Sequence, residues 1–200
     1  MYVSQTTRFV HNVLTPVLTP GGVAVDATMG NGHDTLFLAR TLGPQGRVHA
    51  FDVQERALER TRRCLAMHGL ADRAALWLAG HETMAERLPA DLHGRIRAVT
   101  FNCGYLPGTV RHGGRGQDTD QAVITRPETT CRAVRAALDW LAPGGLVSLV
   151  LYSGHPGGQE ETRAVEQLCS DLDLAAVHAL GCAPLNHPAP KTRVIFLEKK

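Results

Sequence analysis

The stretch "VDATMGNGHDT", Val25 to Thr35, decides how the rest of the chain is read. A short apolar run ends in it, two glycines follow, and an acid and a threonine then open a helical pattern. Strand, glycine turn and helix, in that order, make the ligand-facing corner of an α/β sheet. Glycine lets the backbone turn sharply there and lets a ligand approach to contact distance. Such a corner serves dinucleotides, nucleotide phosphates, or a nucleoside carrying an amino acid.

Outward from this corner the chain alternates between strand and helix patterns. Thr6 to Leu18 carries Phe9, Val10, Val13, Leu14, Val17 and Leu18 at helical spacing, stopped by "TPGG". Val23–Ala27 reads as the first strand and Asp34–Leu42 as a helix. "RVHAFDV" from Arg47 is the second strand, followed by a helix over Gln54–His68 that Gly69 ends. "AALWLAG" from Ala74 and "IRAVTFN" from Ile96 are the third and fourth strands. Thr125 and Glu128 have the spacing of a capping box, opening a helix to Leu141. "APGG" turns the chain into "LVSLVLY", the fifth strand, and a helix over Gln159–Leu172 precedes "AAVHALG" and "TRVIFLEK". The connection between these last two is too short for a crossover helix, so they run antiparallel. The expected fold is α/β and Rossmann-like: seven strands, mostly parallel, the last antiparallel, with helices on both faces.

Composition sets outer bounds. Two hundred residues, 44% hydrophobic and 20% charged, match one globular domain spanning 1–200. Within it, residues 1–20 read as an N-terminal helix and 108–124 as an inserted loop. No apolar run is long enough to span a bilayer, and no secretory signal pattern is found, so no membrane partner is expected. Five scattered cysteines without a C-x-x-C pair point to reduced thiols and a cytoplasmic location. Ten histidines include no pair at metal-ligand spacing, so no metal is expected. A net charge of +2 permits a nucleic-acid partner without requiring one. A homodimer is compatible with the sequence.

The acids of the corner discriminate among ligands. The spacing is G-x-G, not G-x-G-x-x-G, and Asp26 and Asp34 flank it. Two carboxylates would repel a diphosphate. No P-loop lysine is present for ATP. A ligand with an amino group and a sulfonium, S-adenosylmethionine, suits acid. Asp52 ends the second strand, where a carboxylate accepts hydrogen bonds from ribose hydroxyls. An NAD-dependent dehydrogenase and a non-catalytic nucleotide-binding module are the readings from other classes.

With "DATMGNGHDT", "FDVQ", "NCGYLPG" and "YSGHPGG" in this order, the chain resembles a family of small class I methyltransferases. The family was first described as rRNA methylases and is now associated with methylating 5-aminomethyl-2-thiouridine at the tRNA wobble position. The resemblance implies S-adenosylmethionine as donor, an amine on a wobble uridine (position 34) as acceptor, and the tRNA anticodon arm as partner. An rRNA or a small-molecule amine is the alternative acceptor. On the donor side, Asp26 organises the turn or meets the cofactor's amino group, and the backbone of Thr28, Gly30, Asn31 and Gly32 cradles the methionine part. Asp52 grips the ribose, with Gln54 beside it. His81 and Glu82 follow the third strand, where such enzymes contact adenine, or form an ordinary solvated loop. His33 and Asp34 line the cofactor or simply favour the start of a helix. His11 is read as a packing histidine, with a place in the lining of the cofactor pocket as the alternative.

On the acceptor side, "NCGY" (Asn102 to Tyr105) resembles the N-P-P-Y-type motif of amino-group methyltransferases, with Cys103 and Gly104 in place of the prolines. Carbonyl oxygens can hold an amine's hydrogens and aim its lone pair, and an aromatic face can stack on a base. Asn102 and Tyr105 are therefore the expected catalytic pair. Thr125, Tyr152, His155 and Asn186 are expected at the substrate. Tyr105, Tyr152 and His155 are the candidate bases. The chain departs from the family by Cys103 for leucine, by Gln121 for lysine, and by the stretch "TVRHGGRGQDT" after Gly108. Lys191 and Thr192 stand where the family has a proline pair. Arg111 and Arg115 in the added stretch are candidate phosphate contacts, as are Lys191 and Arg193, with a disordered surface loop as the equal alternative for the added stretch.

Overall fold

The computed structural model describes residues 5–104, 124–187 and 190–200. Helix α1 (Thr6–Leu14) opens it, followed by β1 (Val23–Asp26), α2 (His33–Thr41), β2 (Arg47–Asp52), α3 (Glu55–Met67) and β3 (Ala74–Leu78). A one-turn helix α4 (Met84–Arg87) leads to β4 (Ile96–Cys103), then α5 (Pro127–Trp140), β5 (Leu141–Tyr152), α6 (Gly158–Ser170), β6 (Val177–Cys182) and β7 (Thr192–Lys199). The seven strands lie in the order β3-β2-β1-β4-β5-β7-β6. β7 is antiparallel to β5 and β6, and the other neighbouring pairs are parallel. The expected seven-stranded sheet with an antiparallel last strand is the observed one.

Period-two alternation along the strands splits the core in two. Val25, Val99, Phe101, Val147, Leu149, Ile195 and Leu197 face α5 and α6 residues such as Val134, Ala137 and Val165. Their neighbours Ala24, Ala98, Leu146, Val150, Val194 and Phe196 face Val10, Leu14, Leu38 and Leu65 of α1, α2 and α3. Both faces are covered, so the strands read as nearly continuous apolar runs. Val10 and Leu14, one turn apart, seat α1 on the sheet, and Phe9 meets Phe196 edge-on at 5.8 Å.

Three local expectations are corrected. The first helix ends at Leu14, and Thr15–Val17 is a 3-10 turn containing Pro16, which has no N–H for the next helical bond. The Thr125–Glu128 capping box does not form. Arg126 is the N-cap of α5, without a side-chain cap bond, and the Thr125 hydroxyl donates to Glu161 at 2.7 Å instead. "APGG" does turn the chain, but inside a longer strand: Ile96 pairs with Leu141 and Ala98 with Leu146, so Ala142–Gly145 bulges out.

The strand order reverses at β1, which pairs with β2 on one side and β4 on the other. In open α/β sheets ligands bind beyond the carboxyl ends of the strands at that point. There the loops after β1, β2, β3, β4 and β5 surround an open cleft of about 1290 Å³.

Candidate functional site

The glycine turn is built on buried acids. Asp26 ends β1 fully buried. It accepts the Thr35 hydroxyl at 2.6 Å and the Thr28 N–H at 3.2 Å. Burial, with the negative charge of Asp34 next, pushes its carboxyl up to about 7. Asp26 lies beneath the cleft wall, so its work is to organise the turn. Gly32 begins α2 in the left-handed region (φ 81°), and a Cβ there would stand 2.9 Å from the Thr61 Cα. It is structural, while Thr28, Gly30, Asn31, His33 and Asp34 line the cleft.

Asp52 reaches the same turn from β2. One carboxylate oxygen accepts the Gly30 N–H at 3.1 Å, the other the Gln54 N–H at 2.9 Å. Burial raises its pKa, and those N–H groups with that of Val53 oppose the rise. Each oxygen keeps further lone-pair capacity toward the cleft, which Asp52 and Gln54 both line. The Gln54 side-chain oxygen is held by Arg56, and that of Asn31 by Arg60 at 2.9 Å, so both amides are already oriented by α3. Beyond β3, His81 and Glu82 line the cleft. His81 is buried, its Nε2 has no hydrogen-bond partner among the described residues, and burial lowers its pKa, which keeps it neutral.

Asn102, near the end of β4, is joined to this floor by its backbone and its side chain. Its backbone N–H donates to the Thr28 hydroxyl at 2.8 Å, and its side-chain Nδ2 donates to Asp34 at 2.5 Å. The other oxygen of Asp34 meets His11 Nε2 at 2.6 Å. His11 lies flat on Phe37, 3.7 Å between ring centres and 3° between planes. The sequence marks His11 only as a histidine on an apolar helix face, with no sign of this contact. Cys103 is fully buried, and burial with the nearby Glu161 charge pushes its thiol well up, so it packs and is no nucleophile.

Tyr152 and His155, after β5, and Thr125, before α5, line the same cleft. Burial foremost, then the Asp34 charge, raises the Tyr152 phenol above its ordinary 10. It remains an O–H donor at neutral pH, which removes it as a base. Thr125 and Thr130 both donate to the buried Glu161, at 2.7 and 2.6 Å, and the Thr125 N–H donates to the Gly104 carbonyl. Lys191 lines the cleft over Gly154, whereas Arg193 is paired with Glu166 at 2.7 Å. Asn186 is exposed and stands outside the cleft lining. Tyr105, Arg111 and Arg115 lie outside the described residues. Thr7, Arg126 and Glu160 line the cleft without having been singled out in the sequence, because each is brought there by the packing of its helix.

The donor half of the cleft fits S-adenosylmethionine. Asp34, Asp52 and Glu82 line it, as a ligand with an ammonium and a sulfonium requires, and the partnerless His81 Nε2 adds a buried polar atom for a base edge. Fold and cleft together are those of a class I methyltransferase. A family model described as "Putative rRNA methylase" matches residues 48–198, and the chain belongs to that family. A chloroplastic tRNA (mnm(5)s(2)U34)-methyltransferase of Arabidopsis thaliana is 35% identical over 98% of this chain and 70% of its own length. A Clostridium thermocellum structure titled "putative rRNA-methylase" superposes with a TM-score of 0.85 at 32% identity, covering 96% of each chain. A Streptococcus mutans "putative methyltransferase", solved in complex with SAH, gives 0.81 at 34% identity over 97% of each chain. This chain is an S-adenosylmethionine-dependent methyltransferase.

Proposed function

We propose that the protein methylates the primary amine of 5-aminomethyl-(2-thio)uridine at tRNA position 34, giving the 5-methylaminomethyl form. The observation that carries this reading is Asn102, which joins the β1 turn to the end of β4 through Thr28 and Asp34, in a cleft that Lys191 and Arg126 also line beside Glu128 and Glu160. A carbonyl at that junction suits an acceptor that offers N–H groups, and cations in the same cleft suit one that carries phosphates. The name of the plant relative supports the same acceptor.

The bound donor supplies an electrophilic methyl group on a sulfonium. The chain's residues do the rest. Asp52, Gln54, His81 and Glu82 would hold the adenosine part, and the Thr28–Asn31 backbone the methionine part. Asn102 accepts an N–H of the amine and aims its lone pair. Tyr105 is assigned to the base by its motif, and Tyr152, as a phenol, donates to the substrate. An alkyl amine has a pKa of ~10.4 in water, and desolvation beside a positive charge lowers it, so the amine enters neutral after losing its proton to water. No strong base is needed.

The test uses purified protein with labelled S-adenosylmethionine, tRNA bearing the aminomethyl group and matched tRNA lacking it, followed by nucleoside mass spectrometry. Label should appear only in the first, at position 34. Equal labelling of both, or labelling of rRNA alone, would overturn the wobble amine as acceptor.

A further inference from the structure

Three side chains far apart in sequence form one chain of contacts: His11 of α1, Asp34 of α2 and Asn102 of β4. Asn102 lines the cleft and is the residue assigned above to the acceptor amine. An amide side chain has a donor end and an acceptor end of nearly the same shape, so packing alone does not choose between them. An ionised carboxylate does choose, because it only accepts. With Asp34 behind it, Asn102 must turn its NH2 inward, and its carbonyl oxygen is the end turned away from Asp34.

We infer that Asp34, held in place by His11, is the positioning residue that fixes the orientation of the Asn102 amide and so sets the enzyme's preference for an acceptor that donates N–H. This deepens the amine reading and rests on it. Several observations support the assignment. Asp34 is buried, with one oxygen on His11 Nε2 at 2.6 Å and the other on Asn102 Nδ2 at 2.5 Å. The His11 ring is clamped flat on Phe37 at 3.7 Å, so Nε2 has a fixed direction. The Asn102 backbone is pinned separately, by its N–H on the Thr28 hydroxyl, so the side chain is left to rotate about its own bonds. What remains undetermined without Asp34 is which end of the amide faces the substrate. Asp34 thus acts through Asn102, and His11 through Asp34.

The substitutions that separate this from packing are His11→Phe, which keeps a ring on Phe37 but removes the donor, and His11→Gln, whose Nε2 can replace it. Asp34→Asn makes the position able to donate as well as accept, so both orientations of Asn102 become available. In His11→Phe and in Asp34→Asn, kcat on aminomethyl tRNA should fall by about tenfold or more, and in His11→Phe, which leaves every cleft carboxylate in place, calorimetric S-adenosylmethionine affinity should change by less than about threefold. His11→Gln should recover most of the rate. The effect of His11→Phe should largely vanish in an Asp34→Asn background, because one residue works through the other. The Asn102 side-chain amide protons, followed by NMR in the SAH-bound protein and assigned by their loss in Asn102→Ala, should be shifted downfield in the wild type and not in Asp34→Asn. Wild-type turnover in His11→Phe and Asp34→Asn, additive effects in the double variant, or unchanged amide resonances would overturn the inference. If the unsubstituted enzyme leaves aminomethyl tRNA unlabelled, the proposed acceptor falls, and the amide resonances still decide the orientation.

Discussion

Asp26 and Asp52 end adjacent strands and serve the same turn, yet burial gives them different work. Asp52 faces the cleft with capacity to accept two further hydrogen bonds. Charge-assisted bonds of this kind contribute about 1.5–3 kcal/mol each, so Asp52→Ala should weaken S-adenosylmethionine binding by about tenfold or more in calorimetry. The same change also releases the Gly30 and Gln54 N–H groups. Unchanged affinity would remove Asp52 from the cofactor site. Asp26 is sealed beneath the turn, and its carboxyl stands at about 7 against an ordinary 3.8. The folded protein therefore binds this proton more tightly than the unfolded chain. The stability tied to it is fully present below 3.8 and is lost as pH rises through about 7. Asp26→Asn carries no such penalty. Thermal melts at pH 5 and pH 8 should show the variant gaining on the wild type as pH rises. A gap independent of pH would contradict the raised carboxyl.

At the scale of the element, the turn from β1 into α2 depends on glycine for two separable reasons. Gly32 and Gly43 both take positive φ, 81° and 74°. A Cβ at Gly32 meets the Thr61 backbone at 2.9 Å, whereas a Cβ at Gly43 meets nothing within 4 Å. Gly43→Ala should therefore cost only the left-handed conformation, about 1 kcal/mol. Gly32→Ala adds a backbone clash between α2 and α3 and should cost about 2 kcal/mol or more. Urea denaturation midpoints of the two variants test the difference, and equal shifts would show that the α2–α3 contact gives way freely. On the opposite side of the cleft, the Glu161 carboxylate holds Thr125 and Thr130 together. A residue with the spacing of a helix cap is thereby drawn to α6, its hydroxyl donating to a buried carboxylate.

At the scale of the whole molecule, the cleft is lined by both signs of charge, Asp34, Asp52, Glu82, Glu128 and Glu160 together with Arg126 and Lys191. Lys191 and Arg193 lie close in sequence but differ in availability, since Arg193 is paired with Glu166. If the acceptor is a tRNA, Lys191→Gln should lower affinity and flatten its log–log salt dependence by about 0.7 for one lost contact to a single-stranded phosphate. Arg193→Gln should change the slope less. Filter binding at several salt concentrations measures both, and identical slopes would take Lys191 out of the RNA surface. Among the described residues no helix is long and apolar enough to cross a membrane.

Strand positions, the crossover helices and the antiparallel ending are legible in the sequence, because each depends on periodicity or connection length within a short window. The acids of the cofactor corner are legible for the same reason: Asp26, Asp34 and Asp52 sit at fixed places relative to their own strands and turn. The partners of side chains are not local. His11 reaches Asp34 across 23 positions, and Asn102 reaches it across 68. Nothing near Asn102 in the chain says which end of its amide will face the cleft. That is decided only when α1, α2 and β4 converge and an acceptor-only carboxylate is buried between them. Asn186, by contrast, matches the family by sequence yet lies outside the cleft lining. A motif assigns chemistry to a residue, and packing determines whether that chemistry arrives.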